Sequence, residues 1–210
     1  GKTADEEAPS LGEMSMSADQ FDVIVVGGGN AAFCAALSAQ EQGARVLVLE
    51  RAPEDEAGGN TRFTAGNIRF AYRGVEDLRE IMPDLTEAEI AITDFGTYTE
   101  EQFFDDMFRV TRNRTDPNLC EILVRRSFGT MKWLRGKGVR FVPIWGQQAF
   151  KIDGRFRFWG GLTVAAWGGG PGLVQAETDA AKKRGIEIRY ATRAQKILTD
   201  GFRVEGVRVK

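Results

Sequence analysis

The feature that most constrains this chain is a run of glycines between a predicted strand and a predicted helix. Residues 21–26, FDVIVV, have the apolar, β-branched pattern of a strand buried on both faces. Glycines follow at 27–29, and residues 30–42 are alanine-rich, which is typical of a helix packed closely on a sheet and stopped by Gly43. Residues 45–50, RVLVLE, predict a second buried strand. Together these elements predict one right-handed βαβ unit.

The sequence GGGNAA that begins at Gly27 fits the pattern G-x-G-x-x-G/A of dinucleotide-binding turns. Gly27 permits the tight turn, Gly29 lets the main chain approach a pyrophosphate, and Ala32 lets the helix lie close to the sheet. Asn30 and Ala31 open the helix, where unpaired N–H groups and the positive end of the helix dipole face the phosphates. The pattern therefore predicts a dinucleotide site at this turn.

Glu50 supports the same interpretation, because it ends the second predicted strand about twenty positions after the glycines. An acidic residue there can accept hydrogen bonds from the ribose hydroxyls of adenosine. We expect Arg51, the next residue, to lie in the same site. The alternative is a glycine-rich turn without a ligand, which is disfavoured because glycine costs stability unless something must approach closely.

The segment after Glu50 distinguishes FAD from NAD(P), since a simple NAD domain returns promptly to a helix and a parallel strand. Here residues 51–73 predict a long ordered loop with a strand near 67–72, and such loops are usually functional. Its GGNTRFTAGN sequence can follow a longer cofactor in extended form, which favours FAD and leaves an NAD(P)-dependent enzyme as the alternative. The residues predicted to contact FAD in this loop are Gly58, Gly59, Asn60, Thr61, Ala65, Gly66 and Asn67.

The remaining pattern predicts an α/β fold, a Rossmann-like domain with a parallel central sheet, a helical insertion and a β-hairpin or meander. Residues 1–20 are polar and acidic and predict a disordered tail before a domain at 21–210. Residues 75–136 predict the helical insertion, and Pro171 predicts the start of a later helix that ends near Arg184.

Particular side chains in these segments carry further predictions. Thr86 is placed to cap one helix, and either Thr115 or Asp116, followed by Pro117, is placed to open another. A strand is predicted at 186–190, and a hairpin joins 193–198 to 203–209. Residues of the last insertion helix recur at helical spacing and are predicted to lie in the core: Leu119, Ile122, Leu123, Met131 and Leu134.

Composition excludes several kinds of chemistry. The chain has no histidine, so Ser-His-Asp triads, Cys-His dyads and imidazole metal ligands are ruled out. Cys34 and Cys120 lack the spacing of a metal or redox site and are interpreted as reduced structural thiols. A net charge of −2 gives no indication of nucleic acid, and the apolar runs are too short for membrane insertion, so we expect a cytoplasmic protein.

Four stretches carry a family resemblance: DVIVVGGGNAAFCAALSAQEQGARVLVLERAP, GGNTRFTAGNIRF, FWGGLTVAAWGGGPGLVQAETDAAKKRGIEI and TRAQKILTDGFRVEGVRV. They span most of residues 22–210 and resemble the FAD-binding domain of the fumarate reductase/succinate dehydrogenase flavoprotein family. Within it, residues 158–171 are similar to the tricarballylate dehydrogenases. The resemblance implies hydride transfer between flavin N5 and a carbon next to a carboxylate. It also implies main-chain contacts to adenine around 193–195, which places Ala194 in the site.

The chain departs from this family in two ways. Some relatives attach FAD through a histidine, and the lack of histidine here predicts FAD held non-covalently. Relatives are more than twice as long, so we expect an N-terminal fragment, incomplete at its C-terminus, whose catalytic residues lie beyond Lys210. The implied partners are a small-molecule di- or tricarboxylate and an electron donor or acceptor protein.

The function classes that stay open share this N-terminal signature. One alternative is an FAD-binding fragment without its own turnover, and the others are a ketosteroid dehydrogenase or an aspartate oxidase. Two further residue sets are ambiguous. Arg62, Arg69 and Arg73 fit either a carboxylate site or surface ion pairs. The aromatic residues Phe158, Trp159 and Trp167 fit either a flavin pocket or core packing.

Overall fold

The computed structural model describes residues 20–158 and 160–210. Except for Gln20, the predicted N-terminal tail lies outside the described residues, and so does Trp159. The strands are β1 (Val23–Val26), β2 (Val46–Leu49), β3 (Asn67–Ile68), β4 (Thr93–Asp94), β5 (Phe141–Pro143), β6 (Ala149–Ile152), β7 (Arg155–Phe158), β8 (Val164–Ala166), β9 (Glu187–Arg189), β10 (Ala194–Thr199) and β11 (Val204–Val209). The α-helices are α1 (Asn30–Glu41), α2 (Val75–Ile81), α3 (Glu87–Ala91), α4 (Glu100–Thr111), α5 (Pro117–Gly136), α6 (Trp145–Gln148) and α7 (Gly169–Lys183).

A parallel sheet in the order β1-β2-β9 forms the centre of the dinucleotide-binding part. All four residues of β2 are buried, as its uninterrupted apolar sequence requires. Helices α1 and α7 pack on this sheet through Phe33 and Leu37 of α1 and Ala181 of α7. The predicted α/β class with a parallel sheet and the βαβ unit is confirmed.

The prediction that β1 is buried on both faces is wrong for the part of the chain that the structure describes. Val23 to Val25 are half-buried and Val26 is 59% exposed. The reason is topological, since β1 pairs only with β2 among the described strands and is therefore an edge strand.

Two smaller sheets, β3-β8-β5 and β4-β7-β6, carry the rest of the core together with the helices between residues 75 and 136. Local signals start these helices as predicted. Thr86 forms a capping box with Glu89 at α3, and Asp116 accepts hydrogen bonds from the first turn of α5 with Pro117 at its start. Within the predicted strand at 67–72, β3 occupies only the first two residues, and Tyr72 forms an isolated bridge with Tyr98.

Helix α5 buries a different face from the one predicted. Leu119, Ile122 and Leu123 are 66%, 52% and 48% exposed, so their assignment to the core is wrong, whereas Met131 and Leu134 are buried as predicted. The helix is turned so that a neighbouring stripe contacts the core, and α2 and α4 pack on it there. Its buried residues are Cys120, Val124, Ser127, Met131 and Leu134.

The predicted hairpin is present as β10 and β11, and Asp200 closes its turn by accepting hydrogen bonds from the N–H groups of Phe202 and Arg203. The hairpin lies near the central sheet, and a cavity of about 700 Å³ between them is lined by Leu47, Leu49 and Val207, among others. Within the residues described, none of the helices is both long and apolar enough to cross a membrane.

Candidate cofactor site

The turn between β1 and α1 has the geometry that a bound pyrophosphate needs. Gly27 has φ +111°, and a Cβ added to it would meet no atom within 4 Å. Its N–H donates to the carbonyl of Leu49 at 2.8 Å, which fixes the turn at the carboxyl end of β2. Gly29, the N-cap of α1, has no side chain to cap the helix. The open space and an N-cap residue without a side chain are consistent with phosphate binding.

Glu50 is buried directly beside this turn. Its Oε1 accepts a hydrogen bond from the N–H of Ala52 at 2.8 Å, and a Cβ on Gly28 would lie 2.8 Å from its Oε2. The carbonyl of Glu50 accepts from the N–H of Thr192 at 2.9 Å. The carboxylate is thus held where a ribose could reach it. The contact also explains Gly28, which the motif leaves unspecified.

The Thr61 turn, a 3₁₀ helix from Gly59 to Phe63, approaches the same helix start. The N–H of Asn30 donates to Thr61 Oγ1 at 3.1 Å. A Cβ on Gly29 would lie 3.2 Å from Thr61 Oγ1 and 3.3 Å from the carbonyl oxygen of Gly58. The structure therefore brings together two glycine-rich segments that are thirty residues apart in the sequence, as expected of a site for one extended ligand.

Asn67, at the start of β3, has a buried Oδ1 that finds no hydrogen-bond partner within the described part of the chain, while its Nδ2 donates to Gln147 at 3.3 Å. A buried acceptor without a partner is costly, and a donor on a bound group would satisfy it. Gly66 beside it has φ +72°, and a Cβ there would lie 2.7 Å from the carbonyl carbon of Gly169. The open turn at Gly27 and the unsatisfied oxygen of Asn67 both fit an extended dinucleotide such as FAD.

The other predicted site residues lie around this cluster. Ala31, in the first turn of α1, is exposed, and Arg51, Gly59, Asn60 and Ala65 are exposed as well. Arg51 lies two residues beyond the end of β2, and Ala194 begins β10, two residues after Thr192, whose N–H donates to the carbonyl of Glu50 at 2.9 Å.

A third glycine cluster, residues 168–170, also contacts the Thr61 turn, although it was not among the residues predicted for the site. The N–H of Gly170 donates to the carbonyl of Thr64 at 3.0 Å, and a Cβ on Gly170 would collide with the carbonyl oxygen of Thr61. The start of α7 is therefore pressed against the loop main chain. The signal that could have found it is the GGGPG sequence directly before a helical pattern.

Two of the three arginines predicted as carboxylate ligands contact other groups of the protein. Arg62 donates to the carbonyls of its own loop at Asp55 and Ala57. Arg69 donates to the carbonyl of Gly160 and lies 3.7 Å from a carboxylate oxygen of Asp106. Arg73 is exposed.

The predicted aromatic residues lie in two different surroundings, one packed in the protein and one exposed. Phe158 stacks on Phe95 with ring centroids 5.6 Å apart, so it packs in the core. Trp167 is exposed, with the guanidinium of Arg140 4.8 Å from its ring centroid. Across the residues that the structure describes, no cluster of three or more potential ligands could hold a metal ion.

Comparison with known proteins identifies the fold and the cofactor. The family described as FAD binding domain matches residues 22–210. The chain belongs to this family. The match spans the Gly27 turn, Glu50 and the Thr61 turn, and it confirms the prediction of FAD as the cofactor. Its relatives place it in the fumarate reductase/succinate dehydrogenase flavoprotein group.

Individual relatives agree with this assignment. A fumarate reductase (cytochrome) of Shewanella frigidimarina is 30% identical over 193 residues, which cover 91% of this chain and 30% of the relative. A 3-oxo-5-alpha-steroid 4-dehydrogenase of Comamonas testosteroni is 29% identical over 75% of this chain and 27% of its own length. The open conformation of a flavocytochrome c3 fumarate reductase superimposes with a TM-score of 0.64 at 25% identity, covering 90% of this chain and 30% of that chain. The chain thus spans about 30% of the length of the fumarate reductases that it matches.

Proposed function

We propose that this chain is the FAD-binding part of an oxidoreductase that transfers hydride between flavin N5 and a carbon next to a carboxylate. The observation that carries the proposal is the convergence of the Gly27 turn, Glu50 and the Thr61 turn on the start of α1. In the proposed reaction FAD supplies the hydride chemistry, and the protein binds and orients it.

Different groups of the site are suited to different parts of the cofactor. The first turn of α1, beyond the N–H of Asn30 that donates to Thr61, offers N–H groups to the pyrophosphate, and Glu50 offers acceptors to the ribose. The unsatisfied oxygen of Asn67 would accept a hydrogen bond from the cofactor. With no histidine in the chain to form a covalent link, we propose that FAD is held non-covalently.

We propose a di- or tricarboxylate as the substrate class, with tricarballylate as the specific candidate. The support is the similarity to a fumarate reductase, whose substrate fumarate is a dicarboxylate, and the sequence of residues 158–171. A protein electron donor or acceptor belongs to the same proposal. The second candidate is a ketosteroid dehydrogenase, favoured by the 29% identity to a steroid 4-dehydrogenase. An FAD-binding module without its own turnover is the third.

The test separates the cofactor from the reaction. Acid precipitation of the purified protein should release FAD into the supernatant, because it is not covalently bound. The protein with bound FAD is then assayed with tricarballylate, with succinate and with a 3-ketosteroid, using an artificial electron acceptor. Turnover of a carboxylate alone supports the proposal, and turnover of the steroid alone replaces it with the second candidate. Retained FAD without turnover of any of them supports a binding module, and flavin that stays with the precipitate contradicts non-covalent binding.

A further inference from the structure

Glu177 is a carboxyl group in the interface between α7 and α1, and it is fully buried, with 0% of its surface exposed. Its Oε1 lies 3.7 Å from the Sγ of Cys34, and its Oε2 has no hydrogen-bond partner among the residues that the structure describes. An ionised carboxylate would place charge on an oxygen that nothing solvates, so this geometry favours the neutral acid. Burial accordingly raises the pKa of Glu177 to about 8, against a small opposing effect of the hydrogen bond with Cys34.

The elements that pack against α7 bring no cation to Glu177. They are α1, the Thr61 turn, β8 and β9, and among their described titratable groups Cys34 is the one in contact with Glu177. β8 has no charged residue. Lys183 of α7 is exposed. The other charged groups on these elements, on α7 and at its C-cap contact different partners: Arg62 the carbonyls of Asp55 and Ala57, Glu41 the ammonium of Lys137, Glu187 the guanidinium of Arg189, Lys182 the carboxylate of Glu54, Asp179 the amide of Gln175, and Arg184 the carbonyl of Ala180.

Cys34 connects Glu177 to the cofactor site. Its Sγ lies 3.4 Å from Oδ1 of Asn30, the first residue of α1, as well as 3.7 Å from Glu177. Burial, together with the carboxylate of Glu177, raises the pKa of Cys34 to about 12, so the thiol keeps its hydrogen at physiological pH. One hydrogen can be donated to only one of these two acceptors.

The protonation state of Glu177 therefore decides where the thiol hydrogen goes. When Glu177 is protonated, its O–H can donate to Sγ, and the thiol then donates to Asn30 Oδ1. This arrangement directs the amide donor of Asn30 away from Cys34. When Glu177 is ionised, the carboxylate is the stronger acceptor and takes the thiol hydrogen, which leaves Oδ1 of Asn30 without its donor.

We propose that Glu177 is a positioning residue for FAD: in its neutral form it orients the side chain of Asn30 through Cys34, and its ionisation weakens FAD binding. The proposal rests on the FAD site at the start of α1. It adds a pH-sensitive connection between the α1–α7 interface and the cofactor. A negative charge behind the first turn of α1 also opposes the binding of an anionic pyrophosphate, so both effects act in the same direction.

The experiment measures FAD affinity from pH 6 to pH 9 by quenching of flavin fluorescence. If only the form with neutral Glu177 binds, the apparent Kd of the unmodified protein should rise about ten-fold over this range, because about a tenth of the protein keeps the proton at pH 9. Glu177→Gln keeps a donor toward Sγ at every pH, so its Kd should stay flat and match the low-pH value. The matched control is Asp179→Asn on the same helix, where the carboxylate is exposed and the pH profile should not change.

A second readout does not need FAD. Because the pKa of Glu177 is higher in the folded protein than in the unfolded chain, its contribution to stability is fully present below about pH 4.5 and is lost as pH rises through about 8. The stability gained by Glu177→Gln should therefore increase from pH 5 to pH 8 in urea denaturation. Cys34→Ala should bind FAD more weakly at low pH and should lose the part of the pH dependence that acts through Asn30, while the direct effect of the Glu177 charge on the pyrophosphate remains.

Several outcomes would overturn the proposal. Tight FAD binding by the unmodified protein with no change up to pH 9 would overturn the positioning role of Glu177 but not the cofactor site. A Glu177→Gln protein that keeps the original pH profile would do the same. A protein that binds no FAD at any pH would overturn the cofactor site itself and the positioning role with it.

Discussion

Two glycine clusters precede the two helices that pack on the central sheet, and both contact the Thr61 turn. In the first cluster, residues 27–29, Gly27 has open space where a Cβ would be. In the second, residues 168–170, a Cβ on Gly170 would collide with the main chain of Thr61. Glycine at Gly27 leaves room for a ligand, whereas glycine at Gly170 leaves room for another part of the protein. Similar glycine runs thus serve binding in one place and packing in the other.

The comparison predicts its largest effect for Gly170→Ala. The added methyl group would overlap a carbonyl oxygen, which cannot move without shifting the loop, so the free energy of unfolding should fall by about 3 kcal/mol. The measurement is urea denaturation followed by circular dichroism. Gly129→Ala is the matched control, because Gly129 lies within α5 with nothing near its Cβ position, and alanine there should stabilise the protein by about 0.5–1 kcal/mol. A Gly170→Ala protein as stable as the control would contradict the packing role.

Gly29→Ala should give the opposite pattern, with the fold kept and FAD binding lost. The main chain at Gly29 is extended, with φ −92°, and the nearest atoms to a new Cβ are 3.2 and 3.3 Å away, so destabilisation should stay below about 1 kcal/mol. FAD affinity should fall about 10- to 100-fold, because the methyl group separates the phosphates from the N–H groups of α1. Calorimetric titration with FAD measures the loss. Unchanged affinity in a stable Gly29→Ala protein would break the distinction between the clusters.

Thr61→Val should have the smallest effect of the three variants on the protein. It changes only the Thr61 side chain, which faces the first glycine cluster, and leaves the carbonyl oxygen that faces the second. The variant removes the acceptor for the N–H of Asn30, which should cost about 1 kcal/mol of stability, as loss of a helix cap does. Thr61→Ser retains the hydroxyl and is the control, expected to resemble the unmodified protein. Thermal unfolding of the two variants side by side tests this expectation, and a Thr61→Val protein as stable as the Thr61→Ser protein would show that the hydroxyl acceptor contributes no stability.

The sequence predicted those parts of the fold whose signals are local. The apolar run of β2, the glycine turn, and the caps at Thr86 and Asp116 each depend on neighbouring residues, and the structure has them where they were expected. The prediction of FAD also relied on a short segment, Gly58 to Asn67, and the family match confirms that cofactor.

Features that depend on distant parts of the chain were missed. The apolar positions of α5 fit more than one helix face, and only its packing partners decided that Leu119 and Leu123 are exposed. Similarly, nothing near Gly28 in the sequence indicates that the side chain of Glu50 lies against it. The connection from Glu177 to Asn30 joins residues of two helices that are far apart in the sequence.

The Thr61 turn has one further consequence, which concerns how this loop can change during evolution. The Thr61 side chain contacts the start of α1, and the Thr61 carbonyl oxygen lies against the start of α7. These two contacts fix the spacing between Gly58 and Gly66. Exposed positions within the loop, such as Asn60 and Phe63, can vary in chemistry without disturbing either contact. An insertion or deletion would displace both contacts together. We therefore expect the loop to tolerate substitutions far better than changes in length.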